Sequence, residues 1–109
     1  MITEMRDIPT PGGSDYLLWR TGSGGTVEIY DIAVMSERRK GVGRGMVAEL
    51  LRSLPPTTIV FAITRADNEI AQQFYEALGF RTVNVLRRFY GADKGVDALM
   101  YLRKAGEPI

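Results

Sequence analysis

The chain contains no cysteine and no histidine among its 109 residues. Without cysteine there is no disulfide framework, no thiolate metal site and no catalytic thiol. Without histidine there is no imidazole base, no Ser-His-Asp triad and no His-ligated metal. No residue basis for a metal cofactor remains. Proton transfer near neutral pH falls to a carboxylate, a tyrosine, a lysine, a water or a backbone group. An excess of one charge is also missing, since 14 basic against 13 acidic residues leave a net charge of +1. That balance gives no reason to expect specific nucleic-acid binding. No apolar run approaches the length of a membrane span. The opening residues Met1 to Asp7 lack the basic and apolar regions of a signal peptide, so the expected location is cytoplasmic and no membrane partner is expected.

What is present is an ordinary globular balance, with 45% hydrophobic and 25% charged residues. The length suits one domain over residues 1–109, large enough to bury a core without staples. Ile2 to Met5 reads as a short edge strand, followed by an irregular connection through Pro9 to Ser14. Tyr16 to Trp19 and Thr26 to Val34 read as a hairpin around Thr21 to Gly25. Val42, Met46, Val47, Leu50, Leu51 and Leu54 recur at helical spacing, and Pro55-Pro56 stops that helix. Thr57 to Ile63 is a continuous apolar run, expected as a central strand buried on both faces. Asp67 or Asn68 caps a second helix with an apolar stripe of Ile70, Ala71, Phe74, Ala77 and Leu78. Gly79 is expected as the left-handed residue after it, with Phe80 folding back. Arg81 to Phe89 and Val96 to Leu102 read as two more strands, and Ala105 to Ile109 as a loose tail. The order is strand, strand, strand, helix, strand, helix, strand, strand. It predicts an α/β (mixed α+β) domain, with a central mixed sheet and two main helices packed on it.

The chemistry concentrates at the turn into the first helix. Arg38-Arg39-Lys40-Gly41-Val42-Gly43-Arg44-Gly45 sets glycines among bases where the first helical N–H groups lack partners. Glycine has no Cβ, so phosphate oxygens can approach such amides closely. The nucleotide motifs fail, because Met46 stands both where a P-loop needs its lysine and where the dinucleotide fingerprint needs its third glycine. Glycines alone would leave a plain basic turn about as good a reading.

The pattern Arg38-x-x-Gly41-x-Gly43 resembles the pyrophosphate-binding motif of the GNAT superfamily of N-acetyltransferases. Asn68-x-x-Ala71-x-x-Phe74-Tyr75-x-x-Leu78-Gly79-Phe80 resembles its second acetyl-CoA motif, in the right order and at the right separation. Arg87 to Tyr90 and Asp97 to Met100 add a likeness to the RimI-like branch. The resemblance covers roughly residues 28–102 and implies the GNAT fold, with the usual N-terminal helices reduced or absent. It implies acetyl-CoA as cofactor and coenzyme A as product. Backbone groups of Ile32, Ala33 and Val34 would hold the thioester and pantetheine, and Arg39, Lys40, Gly41, Val42, Gly43 and Arg44 the pyrophosphate. Asn68 would contact the pantetheine arm, and Tyr75 would protonate the departing thiolate. Tyr75 lies about 100° around the helix from Phe74, where its hydroxyl can face a cleft; without the motif, a rim tyrosine that only packs is the plainer reading.

The base is a separate question. RimI-like enzymes carry a glutamate on the second parallel strand, where this chain has Ile63. Glu28 precedes Ile32 by four residues, as does the catalytic glutamate of the histone-type branch. Alternation places Glu28, Tyr30, Ile32 and Val34 on one face and Ile29, Asp31 and Ala33 on the other. Glu28 is the leading candidate base, acting through a water, with a solvent-facing strand residue as an equal reading and with Glu37 and Asp31 as weaker candidates. The implied activity is acetyl transfer to a protein N-terminus, a lysine or a small amine, by direct attack in a ternary complex. The alternative is a non-catalytic acyl-CoA-binding or regulatory module. With the N-terminal helices reduced, exposed sheet edges favour a homodimer.

Overall fold

The computed structural model describes residues 2–10, 13–33, 41–91 and 96–108. Six strands form one sheet: β1 (Ile2–Thr10), β2 (Gly13–Thr21), β3 (Val27–Ala33), β4 (Ile59–Arg65), β5 (Arg81–Leu86) and β6 (Ala98–Lys104), in the order β1-β2-β3-β4-β6-β5. Two helices, α1 (Val42–Ser53) and α2 (Glu69–Ala77), fall between β3 and β4 and between β4 and β5. The pair β3 and β4 is parallel, and the other ladders are antiparallel. This is the mixed sheet with two main helices that the element order predicts. Among the described residues before Val27 there are two strands and a 3-10 turn at Ser23–Gly25, and no α-helix.

The first hairpin is longer than expected. β1 pairs with β2 residue for residue from Ile2↔Thr21 to Thr10↔Gly13, so Pro9 lies inside a strand opposite Ser14. An edge strand has a free hydrogen-bonding side, which is where proline is tolerated in a sheet. At the other end β5 stops at Leu86 rather than running to Phe89.

One apolar cluster joins Met46, Val47, Leu50 and Leu51 of α1 to Tyr75 and Leu78 on the α2 side. Leu17, Trp19, Val27, Ile29, Val60, Ala62 and Tyr101 supply its floor. The register pairs Trp19 with Ile29, Ile29 with Ala62 and Ala62 with Tyr101, so these side chains share one face. Both helices therefore cover the same side of the sheet. β4 is central, yet its burial alternates: Val60, Ala62 and Thr64 are buried, while Phe61 and Ile63 are only half-buried. The expectation of burial on both faces is corrected, because the helices cover one face alone.

Two further corrections follow from packing. The stripe of α2 runs through Ala71, Phe74, Tyr75 and Leu78, while Ile70 in the first turn is 77% exposed. The tail is not loose. The Ala105 and Gly106 amides donate to the carbonyls of Thr58 and Pro56 at 2.8 and 2.9 Å. Arg103, 1% exposed, donates to the carbonyls of Leu78, Lys104, Ala105 and Glu107. Gly79 has φ +83°, as its place after the helix requires, and Phe80 is buried behind it.

Candidate active site

The sheet opens at one place. The parallel ladder registers only Val27–Ile29 against Val60–Ala62. Beyond it, Tyr30 to Ala33 and Ile63 to Arg65 continue without pairing to each other. A parallel pair that parts in this way leaves main-chain groups of both strands turned into the gap. Ile32 and Ala33 keep their register with Leu17 and Tyr16 of β2, so the departure is on the β4 side.

The parting coincides with a bulge. Leu18 pairs with Asp31 and Trp19 with Ile29, which leaves Tyr30 as the extra residue of β3. A bulge breaks strict alternation. The expected split of the β3 faces is corrected accordingly. Ile32 packs against the core with Val27 and Ile29. Asp31 lies with Glu28 and Tyr30 on the open face.

α1 is the next described element after β3 in the chain. Its N-cap Gly41 has φ +76°, a left-handed conformation that favours glycine, and no side chain caps the helix. The first helical bond closes from the Gly45 amide to the Gly41 carbonyl at 2.9 Å. A Cβ at Gly41 or Gly45 would meet no described atom within 4 Å, so the first turn is open to an incoming ligand. Arg44 is exposed beside it, and Gly43 is buried. Val34, Arg39 and Lys40, together with Glu37, lie outside the described residues.

α2 supplies the other wall. Asn68 caps it by accepting from the Ala71 amide through Oδ1 at 3.1 Å, which leaves the Asn68 side-chain N–H₂ as a donor at an exposed position. The turn into α2 is tied down by Gln72, which donates to the carbonyls of Arg65 and Ala66, and by the Ala66 amide, which donates to the Asp97 carbonyl. Tyr75 is 5% exposed, not a rim residue. Its ring packs edge-on to Phe80 at 5.3 Å and stacks on Tyr101 at 6.1 Å. Its hydroxyl makes no hydrogen bond to any described residue. Burial pushes the phenol well above its ordinary pKa, and the charge of Asp31 pushes it further the same way. Tyr75 therefore keeps its proton at neutral pH, as a proton donor must.

The carboxylates of β3 differ in their partners. Glu28 is held by Arg20 across the strand pair at 2.7 Å, still within the paired part of the sheet. Asp31 is exposed and accepts a hydrogen bond from the Tyr16 hydroxyl at 3.0 Å. Sequence reasoning missed Tyr16 and ranked Asp31 low, since only the bulge brings the two together.

The fit of a thioester cofactor can be judged from the donors present. Thr64 Oγ1 is buried on β4 without a hydrogen-bond partner among the described residues, at the end where β3 and β4 part. An orphaned hydroxyl is costly unless something polar reaches it. Together with the open amides of α1 and the Asn68 side chain, it matches an elongated ligand carrying amides and phosphates. Among the described residues no group of three or more side chains is arranged to hold a metal ion, and no helix is long and apolar enough to cross a membrane.

Known proteins share this fold. Residues 10–80 match the family described as Acetyltransferase (GNAT) family. The chain belongs to that family. It is 33% identical over 82 residues to the N-alpha-acetyltransferase RimI of Mycobacterium tuberculosis, covering 74% of this chain. The chain spans about half, 51%, of that curated relative. A GNAT-family crystal structure from Desulfovibrio desulfuricans superposes with a TM-score of 0.80 at 27% identity, covering 94% of this chain and 69% of that one. A Bacillus anthracis acetyltransferase solved in complex with acetyl coenzyme A shares the fold at TM-score 0.73 and 22% identity, covering 83% of this chain and 54% of that one.

Proposed function

We propose that the chain is an acetyl-CoA-dependent N-acetyltransferase acting on a primary amine. The observation that carries the reading is the parting of β3 from β4 beyond Ile29 and Ala62, with α1 next in chain order and opening on a left-handed glycine. Acetyl-CoA supplies the acetyl group as an activated thioester. The amides of Gly41, Val42, Gly43 and Arg44 bind its pyrophosphate, with the side chains of Arg39, Lys40 and Arg44 as countercharge. Main-chain groups of Ile32, Ala33 and Val34, with Asn68 and Thr64, orient the pantetheine and thioester. Tyr75 donates the proton that the departing sulfur needs. A carboxylate of β3, Glu28 or Asp31, relieves the amine of a proton. With no cysteine to carry an acyl group, the amine attacks directly.

The likeness to RimI favours a protein N-terminus as acceptor, ahead of a lysine or a small amine. A homodimer formed through the exposed sheet edges, and a cytoplasmic location, belong to the same reading. Sedimentation at micromolar concentration tests the dimer, and a monomer there rejects it. A second reading, an acyl-CoA-binding module without turnover, is favoured by Ile63, which puts no carboxylate on the open face of β4. One experiment separates the two. The protein is titrated calorimetrically with acetyl-CoA, Gly43→Glu serving as the control that blocks and repels the pyrophosphate. Release of coenzyme A is then followed with an N-terminal alanyl peptide, a lysyl peptide and spermine. Binding with transfer supports the enzyme, binding without transfer supports the module, and no binding rejects both.

A further inference from the structure

We infer that Asp31, held by Tyr16, is the carboxylate that receives the cationic acceptor amine and takes its first proton. The inference rests on the acetyltransferase reading and goes beyond it by naming the acceptor's anchor. Four observations carry it.

The first is position. Asp31 lies past the Tyr30 bulge, where β3 has left β4, whereas Glu28 is still paired within the sheet and registers with Phe61. A group at the mouth of the gap can meet an amine that attacks a thioester lying in it. The second is charge. Arginines answer two other acids of the sheet and its adjoining turn: Arg20 holds Glu28 on β3 and Arg65 holds Asp67 just after β4. Asp31 is bound only by a neutral phenol, so among the described residues no cation cancels its charge. An uncancelled, exposed carboxylate attracts an ammonium, while a carboxylate in an ion pair must first give up its partner. The third is orientation. The Tyr16 hydroxyl donates to Oδ2 at 3.0 Å, which fixes the carboxylate and leaves its other oxygen to the substrate. Tyr30, also exposed, adds an aromatic ring beside it, already occupied on one side by the Arg20 guanidinium at 4.6 Å. The fourth is communication with the proton donor, since the charge of Asp31 reaches the Tyr75 phenol.

The proton balance follows. An ammonium loses two protons when it becomes an amide nitrogen. Asp31 takes the first before attack and returns it to water. The C–N bond forms and the C–S bond breaks. Tyr75 gives its proton to the sulfur and regains the second from the new amide nitrogen. The acceptor class is a primary ammonium with no carboxylate of its own next to the nitrogen, which Asp31 would repel.

The test uses the three amines named above and the variants Asp31→Asn, Glu28→Gln and Tyr16→Phe. All three variants should fold and bind acetyl-CoA as the parent does, read by melting and calorimetry. Asp31→Asn should lower kcat/KM for the amine about a hundredfold, the lower range for loss of a general base. The loss in Glu28→Gln should be at least about tenfold smaller. Tyr16→Phe should raise the KM for the amine about threefold to tenfold, the worth of one hydrogen bond, with KM for acetyl-CoA unmoved. A larger loss in Glu28→Gln than in Asp31→Asn overturns the proposal and returns the base to Glu28. Absence of transfer to all three amines by a parent that binds acetyl-CoA overturns it as well. Failure of the parent to bind acetyl-CoA overturns the acetyltransferase reading itself.

Discussion

The two faces of the sheet obey different rules. Among the described residues the covered face is apolar from Leu17 to Tyr101, and besides the hydroxyls of its tyrosines its buried polar side chains are Arg103 and Thr64. The open face carries Arg20, Glu28, Tyr30, Asp31 and Tyr16 around a few half-buried apolar residues. On the covered face every polar group must be answered, because water cannot do it. Arg103 is answered by main-chain carbonyls, which makes it a structural clamp on the tail. Thr64 is not answered from within the described residues, which is why the proposed function assigns it to the ligand. On the open face ion pairs are weak and solvent-screened, so the informative residue is Asp31, which has no counterion among the described residues.

The largest effect that sharpens this contrast is at Arg103. Arg103→Ala should cost about 3 kcal/mol or more, read by urea melts, because it orphans several buried carbonyls together. Arg103→Lys should not rescue it, since an ammonium cannot reproduce the guanidinium fork. Next comes the pair of neighbouring leucines in β2. Leu17→Ala, on the covered face, should cost about 2–5 kcal/mol, and Leu18→Ala, on the open face, under about 1.5 kcal/mol. Equal costs would break the two-face picture. A smaller loss, about 1–3 kcal/mol, is expected for Gly106→Ala, whose Cβ would sit 2.6 Å from that of Pro56.

The smallest effect is at Tyr75. Its hydroxyl has no described partner, so Tyr75→Phe should change stability at neutral pH by less than about 0.5 kcal/mol while abolishing most transfer. The alkaline limb differs. Burial raises the folded-state pKa above the ordinary 10.0, so the folded protein keeps a proton that the unfolded chain releases. Stability is full below that value and falls as pH rises above it. Tyr75→Phe should flatten that decline, measured by melts between neutral and alkaline pH.

Much of this was legible in the sequence. Periodicity and punctuation locate both helices and the central strand, and Gly79 is placed by its position after the apolar stripe. The GNAT motifs point to the end of β3, the start of α1 and α2 as the region of interest. What periodicity cannot carry is register. The bulge at Tyr30 moves Ile32 into the core and Asp31 onto the open face, and a bulge has no signature in alternation. The α2 stripe was misplaced by one position, since Ile70 and Tyr75 are equally plausible neighbours of Phe74 until the helix is seated on the sheet. Arg103 leaves no signature in the sequence because its partners are carbonyls, which every residue has. Pro9 reads as a breaker because only the finished sheet shows that β1 is an edge.

The most direct measurement is amide hydrogen exchange with and without acetyl-CoA. The account predicts new protection at the amides of residues 41–45 and at the parted ends of β3 and β4, with the edge strand β5 unchanged. Protection absent from residues 41–45, or confined to the β5 edge, would contradict it.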